Sequence, residues 1–89
     1  MTGKPLSDDE YLRYDATGLA QLVRRGEVSA LELVETAIGR IERLNPIVNA
    51  VIHRMDESAR HAASETHPDA PFRGVPLLLK DLLSAVAGE

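Results

Sequence analysis

The sequence contains no cysteine and no tryptophan, and only 3% of its 89 residues are aromatic. The absence of cysteine excludes disulfides and thiolate-bound metals. His53, His61 and His67 have no cysteine beside them, so we expect them to be solvated or packed and predict neither a metal site nor a cofactor. With so few rings, the core has to be built from Leu, Val, Ile and Ala, a composition typical of packed helices.

The chain also lacks a basic run and a long apolar run. Its formal net charge is −4, with acidic and basic residues interspersed, so a surface for nucleic acid or for an anionic membrane is not expected. No apolar stretch approaches bilayer length, and no secretory signal is visible at the start. The length allows one small domain at most. We expect a soluble cytoplasmic protein.

The first clear helix is predicted after a polar leader, residues 1–14, in which apolar periodicity is weak. Either Asp15 or Thr17 can cap its first turn, and Gly26 fits a left-handed stop at its other end. The apolar face of this predicted helix consists of Leu19, Leu22 and Val23.

A second helix is predicted from Ala30 to Leu44. The Ser29–Glu32 spacing is a capping box, and Asn45-Pro46 is expected to end the helix because a residue before proline avoids helical geometry. An apolar stripe runs along this predicted helix. Such a stripe usually belongs to the core, although it could also bind in a partner's groove. The apolar stripe consists of Ala30, Val34, Ala37, Ile41 and Leu44, with Leu31 and Ile38 beside it.

The rest of the chain is predicted to alternate between short elements. Residues 48–52 suit an extended stretch or strand, and residues 55–65 suit a helix that packs closely on a neighbour. Residues 67–71 form a loop, and the apolar run 77–83 suits a buried strand. The face of the 55–65 helix that is expected to pack consists of Met55, Ala59 and Ala62.

Lys80 is a candidate catalytic residue, because it follows an apolar run and could therefore be buried. A buried lysine loses its charge more readily and can then act as a general base. From spacing alone, a solvated lysine at a strand end is the preferred interpretation. Asp81 could orient Lys80 or cap the next turn. Gly74 and Pro76 are predicted to be structural, Gly74 because it permits a close backbone approach and Pro76 because it stiffens the strand entry.

No serine of the chain has the neighbours of a nucleophile. Ser29 has a structural place in the capping box, while Ser58, Ser64 and Ser84 have no base at a recognisable spacing. The sequence therefore does not assemble a nucleophile, a base and an oxyanion hole.

Four motifs occur in an order that resembles the amidase-signature family. They are D-A-T-G-L-A from Asp15, G-E-V-S from Gly26, N-P at Asn45 followed by N-A-V from Asn49, and G-V-P-L-L-L-K-D-L from Gly74. The resemblance covers residues 15–89, and the G-V-P-x-x-x-K-D element is its most specific part.

The resemblance implies an α/β fold, a mixed sheet covered by helices, of which this chain would supply the N-terminal helices and the first strands. It also implies an amide hydrolase with a Ser–cis-Ser–Lys triad, in which Lys80 is the lysine and acts through the cis serine to deprotonate the nucleophilic serine. Lys80 is then expected to be a buried base, and a small-molecule amide is the expected substrate of the full-length enzyme.

The resemblance also predicts an incomplete domain. Family members run to several hundred residues and carry both serines downstream of the K-D element, so we expect residues 15–89 to be the first part of a longer domain. We expect this part to be inactive alone, and a homo-oligomer is a candidate for its state of association. Bacterial amidases acting on small or cyclic amides, such as aminohexanoate oligomers, look most similar. A first alternative is that the chain is a non-catalytic helical interaction module or the product of a decayed gene. A second alternative is a fragment similar to the amidotransferase subunit that supplies ammonia to tRNA-linked glutamate.

Overall fold

The computed structural model describes residues 6–80 and residue 86. Within them the chain forms four helices and no strand. The helices are α1 (Asp8–Leu12), α2 (Ala16–Arg24), α3 (Ala30–Val48) and α4 (Asp56–Ser64).

Helix α2 confirms the first predicted helix and both of its ends. The Asp15 side chain caps the helix by accepting a hydrogen bond from the Gly18 backbone N–H at 2.7 Å. Gly26 follows the helix with a φ of +76°, the left-handed conformation that a glycine adopts without strain. All three residues of the predicted apolar face are buried, and they join the core formed by Leu19, Leu22, Val23, Val28 and Leu33.

The predicted start of α3 is correct, whereas its predicted end is wrong. Ser29 Oγ accepts the Glu32 backbone N–H, and Glu32 Oε1 accepts the Ser29 backbone N–H. At the other end the helix passes through Pro46 and stops only at Val48.

The last turn of α3 is closed by hydrogen bonds that do not need the N–H that Pro46 lacks. The Asn49 backbone N–H donates to the Asn45 carbonyl, and Asn49 closes the helix in the left-handed conformation. The Asn45 side-chain amide both donates to the Val51 carbonyl and accepts the Val51 N–H, each at 2.8 Å. This two-way contact fixes the chain reversal after α3.

The buried face of α3 is rotated from the predicted stripe and centres on Leu33, which is fully buried and lies outside that stripe. Of the predicted residues, Ala30, Val34 and Ile38 are buried, while Ala37 and Ile41 are partly exposed. The predicted apolar face is wrong at Leu31 and Leu44, because 47% and 42% of their surfaces are exposed. The N-terminal half of α3 therefore faces the core, and its C-terminal half faces outward.

Helix α1 lies inside the segment predicted to be a polar leader. Ser7 and Glu10 form a second capping box at its start. Hydrogen bonding with Ser7, first of all from its backbone N–H, lowers the pKa of the Glu10 carboxyl. Tyr11 packs against the core, and burial raises the pKa of its hydroxyl. The Arg40 guanidinium lies 5.7 Å from the centre of the Tyr11 ring, and Asp8 forms ion pairs with α3.

Helix α4 confirms the predicted helix after Met55, although none of its residues is fully buried. Met55, Ala59 and Ala63 are partly buried at a four-residue spacing, whereas Ala62 is exposed. The predicted face is thus wrong by one position at Ala62. Helix α4 packs on α3.

Neither predicted strand is confirmed. Residues 49–52 follow α3 without regular secondary structure, and residues 75–80 also lack it. The remainder of the second predicted strand, residues 81–83, lies outside the described residues. The predicted sheet of the α/β fold is consequently not confirmed in the part of the chain that the structure describes.

Candidate functional site

The segment that carries Lys80 begins where the backbone of Gly74 lies directly against α3. A Cβ placed on Gly74 would come within 2.8 Å of the Ala30 Cβ, 3.1 Å of the Ala30 Cα and 3.3 Å of the Val23 Cγ2. Gly74 also has a φ of +78°, a backbone angle that residues other than glycine rarely adopt. The predicted close approach at Gly74 is confirmed, and its partner is the first residue of α3.

Hydrogen bonds fix the loop that precedes this contact. Arg24 Nη2 donates to the Pro71 carbonyl at 3.2 Å, which joins the end of α2 to the loop. Arg73 Nε donates to Thr66 Oγ1 at 3.1 Å, and the Val75 N–H donates to the Phe72 carbonyl at 3.1 Å. Val75 then packs against the core. Nothing local in the sequence reveals this partner of Arg24, because Pro71 is distant along the chain.

Lys80 lies at the other end of this segment and is exposed. The three leucines before it are also exposed, by 75% at Leu77, 70% at Leu78 and 57% at Leu79. Asp81, the second residue of the K-D element, lies outside the described residues. The structure therefore brings the G-V-P part of the motif onto the α2–α3 core and leaves the L-L-L-K part uncovered.

Of the serines that the structure describes, Ser29 occupies the structural position predicted for it. Ser29 is engaged in the α3 capping box. Ser64 Oγ donates to the backbone carbonyl of His61 at 2.6 Å, while His61 Nε2 contacts Glu65 Oε1. This Ser, His and Glu set is not a triad, because the hydroxyl bonds to a backbone oxygen and not to the imidazole. Ser84 lies outside the described residues.

Acidic and histidine side chains do not gather into a metal site among the residues the structure describes, where no cluster of three potential ligands occurs. The His67 Nδ1 accepts the Asp69 backbone N–H at 3.1 Å, a local turn contact. The helices described here include none that is both long and apolar enough to cross a membrane.

Ion pairs on the outer surface connect α3 with α4. Arg60 donates through Nε and Nη2 to Glu35 Oε1, at 3.1 and 3.0 Å. Arg54 contacts Glu42 of α3 and Asp56 of α4. The hydrogen bond from Arg54 holds the pKa of the Asp56 carboxyl below its usual range.

Comparison with known proteins assigns the chain to a family. The sequence profile of the Amidase family matches residues 32–88, which is more than half of the chain and includes both Gly74 and Lys80. The chain therefore belongs to the Amidase family, as the order of its motifs indicated. No solved structure matches it significantly.

Individual relatives are similar over most of this chain. It is 45% identical to the 6-aminohexanoate-cyclic-dimer hydrolase of Pseudomonas sp. strain NK87 over 75 residues, which are 84% of this chain and 15% of that protein. It is 41% identical to the putative amidase AmiC of Mycobacterium bovis over 83 residues, 92% of this chain and 17% of that protein. It is 42% identical to the lipoamidase of Enterococcus faecalis over 84 residues, 93% of this chain and 12% of that protein.

The coverage of these relatives is as informative as the identity. The chain spans between 12% and 17% of the length of these three proteins. The described helices and the Gly74–Lys80 segment thus correspond to a small part of a much longer polypeptide in each relative.

Proposed function

We propose that this chain is the N-terminal part of an amide hydrolase that cleaves carboxamide C–N bonds by a Ser–cis-Ser–Lys mechanism, and that it supplies the lysine, Lys80. The observation that carries the proposal is the family match over residues 32–88, which includes the G-V-P-x-x-x-K element at Gly74. Amide hydrolysis also agrees with the names of two relatives, a 6-aminohexanoate-cyclic-dimer hydrolase and a lipoamidase.

In this mechanism the lysine amine moves a proton and forms no covalent bond. The nucleophilic serine attacks the amide carbon while its proton passes through the cis serine to the lysine. Backbone N–H groups stabilise the oxyanion, the amine leaves with a proton, and water hydrolyses the acyl-enzyme. Among the atoms of this sequence, only the Lys80 amine takes part in these steps.

The lysine can accept a proton only when it is neutral beforehand, and removal from water favours the neutral form. Lys80 and the three leucines before it are exposed on this chain. The proposal therefore requires that the other part of the active site covers this segment. The substrate class that we propose is a small linear or cyclic carboxamide, by analogy with the 6-aminohexanoate-cyclic-dimer hydrolase.

A chimeric enzyme tests this assignment. The matched residues of this chain replace the corresponding segment of the 6-aminohexanoate-cyclic-dimer hydrolase, and turnover of the cyclic dimer is measured. Lys80→Ala is expected to lower kcat by about 10²–10⁴-fold while the protein stays folded, because the loss falls on proton transfer. Lys80→Arg is not expected to restore activity, since a guanidinium stays protonated.

Arg25→Ala is the matched control, because it removes an exposed cation whose ion-pair partner, Glu27, is also exposed. Its kcat is expected to stay close to that of the unmodified chimera. Near-normal turnover by the Lys80→Arg variant, or an inactive but folded parent chimera, would contradict the proposed function.

A further inference from the structure

We propose that Gly74 is a positioning residue for Lys80. Because Gly74 has no side chain, the backbone at the start of the Lys80 segment can lie directly against Ala30, the first residue of α3. The inference rests on the proposed function, since it assigns a role in placing the same lysine. It concerns a residue that does not touch the substrate and acts only through where it holds the backbone.

The contact between Gly74 and Ala30 leaves no room for an additional carbon. Two carbons 2.8 Å apart overlap, because optimal carbon–carbon contacts lie at about 3.5–4.0 Å. Ala30 is itself buried and belongs to a helix whose first turn is fixed by the Ser29–Glu32 capping box. Since Ala30 cannot retreat without disturbing α3, a side chain at position 74 would push the loop backbone outward.

The structure also places Gly74 where such a shift would reach Lys80. On the near side, the loop is held by the Arg24 bond to Pro71 and by the Arg73 bond to Thr66. On the far side, Val75 packs against the core, and the chain then runs without regular secondary structure to Lys80. Gly74 and Val75, which both lie against the α2–α3 core, are thus the residues from which the Lys80 segment leaves that core.

Gly26 provides a matched control for the backbone conformation. Its φ is +76° against +78° at Gly74, but a Cβ on Gly26 would have no atom within 4 Å. A Gly26→Ala variant therefore carries the same unfavourable backbone conformation without the steric overlap. Any additional effect of Gly74→Ala reports the contact with Ala30.

The experiment uses the chimeric hydrolase described above, with Gly74→Ala, Gly26→Ala, Ala30→Gly and the double variant Gly74→Ala/Ala30→Gly. The readouts are kcat and KM for the cyclic dimer, with circular dichroism as the measure of folding. Gly74→Ala is expected to lower kcat by up to about 10²-fold with little change in KM, since misplacement of a catalytic group by about 1 Å has an effect of that size. Gly26→Ala and Ala30→Gly are expected to keep kcat close to the parent value.

Rescue separates positioning from a general loss of stability. Ala30→Gly removes the atom that lies 2.8 Å from the new Cβ, so the double variant is expected to recover a substantial part of kcat. A folded Gly74→Ala variant with the kcat of Gly26→Ala would overturn the inference. A double variant with no higher kcat than Gly74→Ala alone would overturn it as well.

A second variant keeps the inference testable if Gly74→Ala does not fold. Ala30→Val enlarges the same contact from the α3 side, where the backbone is helical and carries no positive φ. It is expected to lower kcat with little effect on KM, and an unchanged kcat would overturn the inference. If Lys80→Ala is fully active, the proposed function itself fails; if Lys80→Ala is inactive and Gly74→Ala is normal, only the positioning role fails.

Discussion

The carboxylate of Glu32 shows how a charged side chain is accommodated in a small apolar core. Glu32 is only 7% exposed, and it accepts the Ser29 backbone N–H at 2.9 Å. A buried charge is costly unless it is hydrogen-bonded, and a carboxylate at a helix N-terminus also meets the positive end of the helix dipole. No buried side-chain nitrogen or oxygen among the described residues lacks a hydrogen-bond partner. The capping box therefore stabilises α3 and satisfies its most buried acid together.

Removal of the Ser29 hydroxyl is expected to destabilise the chain measurably. Ser29→Ala should lower the free energy of unfolding by about 1 kcal/mol, because the Glu32 N–H loses its acceptor in a partly buried setting. Ser7→Ala is the control, since it removes the same kind of cap from the five-residue α1 in an exposed setting. Urea unfolding followed by circular dichroism measures both. A cost at Ser7 equal to that at Ser29 would contradict the importance of burial.

The range of the interactions explains why the ends of α2 and the start of α3 were predictable from sequence, whereas the burial of Leu33 was not. Asp15, Gly26 and Ser29 act on residues within three or four positions, so the sequence contains the whole interaction. The orientation of α3 depends on what packs against it, and the stripe pattern alone did not identify Leu33 as its most buried residue. Gly74 was predicted to make a close approach, but its partner, Ala30, is known only from the folded chain.

Among the helices, α4 differs from α2 in what holds it to the rest of the chain. Four of the residues of α2 are buried, whereas none of those of α4 is. The contacts of α4 with α3 include partly buried small side chains and the Arg60–Glu35 ion pair, whose side chains are 42% and 37% exposed. Exposed ion pairs contribute little and are screened by salt. Helix α4 should therefore be the less firmly held of the two.

Salt is expected to loosen α4 before it affects α2. Between about 0.05 and 1 M NaCl, the range of electrostatic interaction shrinks to about 3 Å. Amide hydrogen exchange should become faster in α4, while the amides of α2, whose packing is apolar, serve as the internal control. Equal changes in both helices would show that ion pairs do not distinguish them.

The unconfirmed strands and the wrong end of α3 both come from predictions that rest on local patterns alone. A strand needs a neighbour that accepts its backbone hydrogen bonds, and residues 77–80 have none in the described part of the chain. The rule that a proline stops the preceding helix is a local preference, and α3 continues through Pro46 to Val48, after which Asn45 contacts Val51. Local patterns identified apolar segments correctly, but their partners decide which structure they adopt.

At the scale of the whole molecule, many large apolar side chains remain exposed outside the small core. The most exposed lie in the last turn of α3, in the stretch that follows it and in the Lys80 segment, among them Ile47, Ile52 and Leu77, which are 80%, 71% and 75% exposed. Exposed apolar patches of this kind mark interaction surfaces. The relatives, of which this chain covers a small fraction, have additional polypeptide that can occupy such a surface.

The purified 89-residue chain is accordingly expected to be inactive on amides and to self-associate. Sedimentation velocity should show an apparent mass that rises with concentration, and a triple Ser substitution of Leu77, Leu78 and Leu79 should reduce the association. Leu12→Ser, at an exposed residue of α1, is the control and should change little. A monodisperse monomer with cooperative unfolding would contradict the association, and measurable amide hydrolysis would contradict the inactivity.

The Asn45–Val51 contact also has a consequence for the chemical ageing of the chain. The contact needs an amide, because a carboxylate at position 45 could accept the Val51 N–H but could not donate to the Val51 carbonyl. Asparagine usually deamidates when the backbone nitrogen of the next residue attacks its side chain and closes a succinimide ring. Position 46 is proline, whose nitrogen has no hydrogen to lose. The proline that interrupts the hydrogen-bond ladder of α3 thus also protects Asn45, whose side-chain amide makes the contact with Val51 beyond the helix.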